Sequence, residues 1–362
     1  MEELVRQIVE ILKDYRREDI SWVYKTEINE EHVTKWINQF DEEDREFILS
    51  EFLKLLPSSY LTKERTLAIL GSEFEVLRKD FGYDTVQDFL DETKFLDCQK
   101  AGKSQKIFLE FIEKELNDKY GYNLAKCGTK QIKNWLYLDD VLASGGNFKK
   151  DILKAIKDYG VDDFYNSDIN IIGSFVILHT WATANVPFSI EQEIKIKLGK
   201  RIKFYRVAEI DNNPRLHHYY NPTPSFNHIY PKKSELGSEI LDFIENAFER
   251  DFDMLKEEFA FRDVAHPKKE DYFTNPENRE RYEQILMKKG FEIMKKIDNL
   301  TAKSLRPLGM TPPSYKTLGT GSHFFTWRNI SNTCPLVFWW GANDWYPLFP
   351  VKNRGNNWDV WD

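Results

Sequence analysis

Asn134-Trp135-Leu136-Tyr137-Leu138-Asp139-Asp140-Val141-Leu142-Ala143-Ser144-Gly145-Gly146-Asn147 is the stretch on which the rest of the chain turns. The apolar run Trp135 to Leu138 predicts a buried strand, closed by Asp139 and Asp140 where a strand would end. Ala143-Ser144-Gly145-Gly146-Asn147 then reads as a short loop leading into an amphipathic helix from Phe148 to about Tyr159. Paired glycines let the backbone approach a ligand, and the first amides of a helix point outward with partial positive charge, so this bend suits a phosphate. Two carboxylates beside it would repel that phosphate unless they bind sugar hydroxyls or act through a divalent cation. The pairing points to a ribose phosphate. An ordinary strand-turn-helix accounts for the glycines but not for two acids in a row.

The same run resembles the signature of type I phosphoribosyltransferases: four apolar residues, two acids, two apolar residues and a small-residue loop. Ser144 and Asn147 stand where that family usually has threonines, and both keep a side chain able to bind phosphate. The resemblance implies that Asp139 and Asp140 contact the ribose hydroxyls of phosphoribosyl pyrophosphate (PRPP). It also implies that residues 143–147 hold the 5'-phosphate.

Outward from this stretch, strands and helices alternate. Lys94 to Cys98 predicts a short strand, residues 99–104 a loop, and Ile107, Phe108, Phe111, Ile112 and Leu116 the inner face of a helix. Gly102-Lys103-Ser104 lacks the glycine that a nucleoside-triphosphatase P-loop needs five residues earlier, where Asp97 stands. It reads instead as a second anion site, the pyrophosphate loop under the resemblance, with Lys103 neutralising charge. The resemblance also implies a long flexible loop over the site, yet between Leu116 and Trp135 there is room only for a short one around Lys119 to Lys130. Beyond the central stretch, Asn170 to Leu178 predicts a buried strand ending at His179, then a helix near Ser189 to Leu198 and a strand at Lys203 to Val207. Such alternation predicts an α/β fold with a mostly parallel sheet, whose ligands sit at the carboxyl ends of the strands. His179 would end there too, either touching substrate or moving a proton, or as a satisfied core histidine.

Residues 1–90 predict a helical region, 91–210 the α/β core, and 211–362 a helical and aromatic-rich extension. In the first, Leu4, Ile8, Ile11, Leu12 and Tyr15 share a face, Pro57-Ser58-Ser59 breaks a second helix, and Asp41 to Arg45 reads as a solvated helix start. In the last, Arg328, Asn329 and Asn332 lie among large aromatics and could form a base-stacking pocket with amide readout, or the aromatics could pack as core. Asp-Asp-x-x-x-Ser-Gly followed by Asn-x-x-Asn-x-x-Pro-Leu and Trp-x-Pro-Leu-Phe is similar to a divergent phosphoribosyltransferase-like group associated with bacterial conflict and antiviral defence. That likeness runs from about residue 20 to 354. It implies a defence effector or sensor, with protein partners on the helical front and aromatic tail.

With 362 residues, 41% hydrophobic and 30% charged, the chain predicts a folded protein, and its formal charge of -8 argues against general nucleic-acid binding. No apolar run approaches a membrane span, and Met1 leads into charged helical sequence, which predicts a cytoplasmic protein. Cys98, Cys127 and Cys334 form neither a disulfide framework nor a zinc pattern. The expected chemistry is Mg2+-dependent transfer or cleavage at ribose C1, with Asp139 and Asp140 as metal and catalytic carboxylates and Lys103 stabilising the departing pyrophosphate. The alternatives are a PRPP or nucleotide sensor without turnover, oligomeric or complexed, and a scaffold with a decayed site.

Overall fold

The computed structural model describes residues 1–16, 27–99, 104–213, 226–233, 237–243, 257–297, 302, 304–311 and 317–351. The chain divides into two compact units: Met1–Lys63 together with Asp211–Asp362, and Glu64–Ile210.

In the first unit, helices α1 (Glu2–Leu12), α2 (Glu30–Ile37) and α3 (Glu42–Ser59) precede a short strand, β1 (Tyr60–Leu61). Helix α3 carries Pro57 in its last turn and ends at Ser59, within the stretch Pro57-Ser58-Ser59 expected to break it. β1 pairs in parallel with Phe325–Thr326 from the far end of the chain. The aromatics of that end form the core around α2 and α3. Phe338 stacks on Trp36 and Phe52, Phe325 stacks on Phe349, and the Trp36 indole donates to the Val337 carbonyl at 2.9 Å. Trp339, Trp340, Leu348 and Phe349 are buried, so these residues of the tail pack as core. The start of α3 is solvated at Glu42 and Glu43, and Asp41 before it also pairs with Lys288 at 3.0 Å and Lys289 at 2.9 Å on the helix Pro276–Lys295.

The second unit opens with α4 (Lys63–Asp80) and α5 (Val86–Asp91). It continues as β2 (Thr93–Phe95), α6 (Ser104–Tyr120), β3 (Asn134–Leu142), α7 (Gly146–Tyr159), α8 (Val161–Asn166), β4 (Asn170–His179), α9 (Thr180–Ile194) and β5 (Ile202–Ile210). The sheet is wholly parallel in the order β2-β3-β4-β5. Strands β3 and β4 sit inside it, covered on both faces, which is why they read as near-continuous apolar runs. Helix α9 starts directly at the end of β4, nine residues before the expected Ser189, because Pro187 inside it hid the earlier turns. Among the described residues no helix is long and apolar enough to cross a membrane.

A carboxyl is buried behind the sheet. Glu73 of α4 accepts the Ser174 hydroxyl of β4 at 2.8 Å, and its other oxygen is buried with no partner among the described residues. Burial pushes this carboxyl up to about 7 from 4.5, opposed only by Ser174. The folded state therefore keeps a proton that the unfolded chain releases, so this group's contribution to stability falls as pH rises from about 4.5 through 7. Replacing it as Glu73→Gln removes that loss. In urea titrations the variant is expected to gain on its parent by on the order of 2 kcal/mol between about pH 5 and about pH 8. A gain independent of pH would contradict this.

Candidate functional site

The acidic doublet lies within β3, which continues past it to Leu142, so the two aspartates belong to the last residues of the strand rather than closing it. Successive side chains alternate across a sheet. Tyr137 and Asp139 face α7, where the Tyr137 ring meets Phe148 edge-on at 5.0 Å, and Leu138 and Asp140 face the other way. Asp139 is 8% exposed and Asp140 7%.

Asp139 is held by its neighbours. Its Oδ1 accepts the Asp140 backbone N–H at 2.9 Å and its Oδ2 accepts Gln99 Nε2 at 2.8 Å, with the Tyr137 hydroxyl 3.5 Å away. Gln99 also donates to the Tyr137 hydroxyl at 3.0 Å, and that hydroxyl donates to Asp151 of α7 at 3.0 Å. Burial raises the Asp151 carboxyl pKa, opposed by the Tyr137 hydrogen bond. Asp140 Oδ2, by contrast, is buried and has no partner among the described residues.

The bend follows. Gly145 is left-handed (φ 77) and caps α7, and a Cβ there would lie 2.1 Å from Val186 Cγ2, so only glycine fits. Its carbonyl receives the first helical bond from Lys149 N at 2.8 Å, and no side chain caps the helix start. Gly146 N–H donates to Ser144 Oγ at a long 3.4 Å. Ser144, Gly146 and Asn147 are exposed, Ala143 is half-buried and Gly145 is buried. The start of α7 thus lies at the carboxyl end of β3 with the long Ser144 contact as the only side-chain bond to its first amides among the described residues.

His179 ends β4 fully buried and bonds through Nδ1 to the Leu142 carbonyl at 2.9 Å, bracing the residue from which the loop departs. Burial lowers its pKa to about 4, which keeps the ring neutral near pH 7. Gly102 and Lys103 lie outside the described residues, and Ser104 is placed only as the first residue of α6. At that helix start the fully buried Gln105 accepts the Cys98 and Gln99 amides at 2.8 and 3.0 Å, while its Nε2 has no partner among the described residues. Arg328, Asn329 and Asn332 belong to the first unit and His179 to the second. The Asn329 carbonyl accepts the Thr326 N–H at 3.2 Å and the Asn332 carbonyl the Met310 N–H at 2.8 Å.

The segment Lys119 to Lys130, expected as a short cover, follows α6 to the amino ends of the strands. There Gly128 N donates to Leu90 O and Lys130 N to Asp91 O, both at 3.0 Å. A parallel crossover returns the chain to the start of the next strand, so this segment cannot close over the doublet.

Among the described residues no group of three or more His, Cys, Asp or Glu could hold a metal. The doublet still suits Mg2+, which takes one or two carboxylates and completes its shell with water and substrate phosphate. The unpartnered Asp140 oxygen is the donor atom such an ion would use.

The sequence model of one family, PRTase-CE, matches residues 33–351. The chain belongs to the PRTase-CE family. The PRTase-CE match runs from α2 to Val351, so it takes in the aromatic core of the first unit as well as the parallel sheet of the second. The α/β architecture with its parallel sheet is phosphoribosyltransferase-like, in keeping with this family. No curated protein and no solved structure matches the chain.

Gln99, Tyr137, Gln105 and Asp151 escape a reading of the sequence. Tyr137 passes for one more apolar strand residue. The one available signal is Asp151, an acid on the buried side of α7 between Phe148 and Ile152.

Proposed function

We propose that the segment Asp139 to Asn147 binds the ribose 5-phosphate portion of PRPP or of a ribonucleotide and that the protein acts on the bond at ribose C1. The observation that carries this reading is the buried Asp140 oxygen without a donor, on the strand that leads through a glycine bend to an uncapped helix start. A buried acceptor left unpaired costs about 1–3 kcal/mol, which a ribose hydroxyl or a cation would recover. The amides of residues 146 and 147 would take the phosphate and fix the sugar's position.

As the bond from C1 to the departing pyrophosphate or base breaks, its electron pair leaves with that group and positive charge develops on the ring, until the lone pair of an acceptor base or of water, which gives up a proton, forms the new bond to C1. A preorganised carboxylate beside the ring stabilises that charge. Mg2+, held by Asp140 next to Asp139, would supply charge neutralisation for the phosphates. Under the defence association that the tail motifs imply, the protein would serve as an effector.

One observation favours a second reading, a PRPP or nucleotide sensor without turnover. The α6–β3 segment lies at the wrong end of the sheet to exclude water from the site, and water exclusion is what protects a reactive C1. Titrating the full chain with PRPP and with ribose 5-phosphate, each with Mg2+, tests binding, and assaying pyrophosphate and free base tests turnover. Saturable binding with release of either product establishes the enzyme, and binding with neither establishes the sensor. If neither ligand binds, both readings fall.

A further inference from the structure

Asp139 and Asp140 are adjacent and equally buried, yet their carboxylates stand in opposite situations. Both Asp139 oxygens are engaged, one by a backbone amide and the other by Gln99. Among the described residues, the Gln99 and Tyr137 donors are each matched to an acceptor. Gln99 Nε2 has two hydrogens, which go to Asp139 and to the Tyr137 oxygen. Tyr137 has one, and it goes to Asp151 at 3.0 Å rather than to Asp139 at 3.5 Å. Asp140 Oδ2, on the opposite face of the strand, takes no part in this network.

We infer that the acidic doublet is divided in function: Asp140 is the carboxylate that meets the bound molecule, and Asp139 is a positioning residue locked by Gln99, Tyr137 and Asp151. The lock fixes the strand end at two places. Asp139 Oδ1 holds the Asp140 amide, and so sets the backbone that aims the Asp140 side chain. Gln99, through its own amide and that of Cys98 on Gln105, ties the chain after β2 to the same point. Asp151 brings in α7, the helix whose start would carry the phosphate. The ligand half of this division rests on the ribose-phosphate reading, and the half that concerns the free protein does not.

The two acids should therefore behave oppositely in the absence of ligand. Asp139→Asn places an amide donor against the Gln99 donor and should lower the melting temperature of the full chain by about 3–6 °C, and Gln99→Ala should lower it in the same direction. Asp140→Asn replaces a carboxylate one of whose oxygens is buried without a partner among the described residues, and should leave the melting temperature unchanged or raised. With ribose 5-phosphate as the probe, Asp140→Asn should weaken binding by about 10- to 100-fold and abolish the effect of Mg2+. Asp139→Asn and Gln99→Ala should weaken binding less and keep the Mg2+ effect intact, a response that general structural damage would not produce.

Equal destabilisation by Asp140→Asn and Asp139→Asn overturns the division whatever the protein binds, as does loss of the Mg2+ effect in Asp139→Asn with retention in Asp140→Asn. If the thermal contrast appears and the parent binds no ribose phosphate, the division stands and the ribose-phosphate reading fails.

Discussion

Arg279→Met is expected to destabilise the first unit by about 3–5 kcal/mol, the range for breaking a buried ion-pair network from one side. Arg279 is 1% exposed and lies between the rings of Phe226 and Phe273. Its guanidinium donates to the carbonyls of His228 and Phe226 at 3.1 and 2.6 Å, to Glu283 at 3.2 Å, and to both oxygens of Glu270. Arg262 shares Glu283 at 3.1 Å, so two guanidinium groups balance two carboxylates in the interior. Methionine fills much of the volume but strands Glu270 and a shared Glu283, together with two backbone carbonyls. Arg279→Lys should recover little, because an ammonium cannot span that set of acceptors as a planar fork does. Denaturant unfolding followed by tryptophan fluorescence measures the loss. A change under about 1 kcal/mol would mean that the network is not what holds these segments together.

The second large effect is at the bend. Gly145→Ala is expected to cost about 2–4 kcal/mol in the α/β unit and to abolish ligand binding even in protein that remains folded. Two penalties add, since the residue is left-handed at φ 77 and the new methyl meets Val186 Cγ2 at 2.1 Å. Relief requires Gly145 or Val186 to move, and moving Gly145 shifts the amides at the start of α7. The double variant with Val186→Ala should restore part of the stability, because it removes the collision and leaves the backbone strain. Circular dichroism melts of the single and double variants check this. If the second change restores nothing, steric overlap with Val186 is not the cause of the loss.

Much of the α/β unit is legible in the sequence because buried parallel strands announce themselves: Trp135 to Leu138 and Ile171 to Leu178 are continuous apolar runs with helices between them. The doublet and bend are legible because two acids and two glycines have few other uses side by side. What is not legible depends on long-range partners. Gln99 reaches Asp139, and Asp151 reaches Tyr137, only when β2 and α7 pack against β3; nothing local marks Gln99, and Asp151 is marked only by its place on the buried side of α7. The start of α9 is masked by Pro187, which the helix tolerates in its interior. The aromatic tail invites a reading as an exposed recognition surface, since its prolines and glycines break any periodicity. Its rings are instead the complement of Trp36 and Phe52, almost three hundred residues away in sequence.

The first unit is assembled from the two ends of the chain, with the whole of Glu64–Ile210 threaded between them. During synthesis on the ribosome, α1 to α3 emerge long before the segment that carries Phe325, Phe338 and Phe349, and must wait with Trp36 and Phe52 uncovered while the α/β unit folds. A nascent chain in that state resembles a sticky intermediate, so chaperone demand should be set by the opening helices rather than by the sheet.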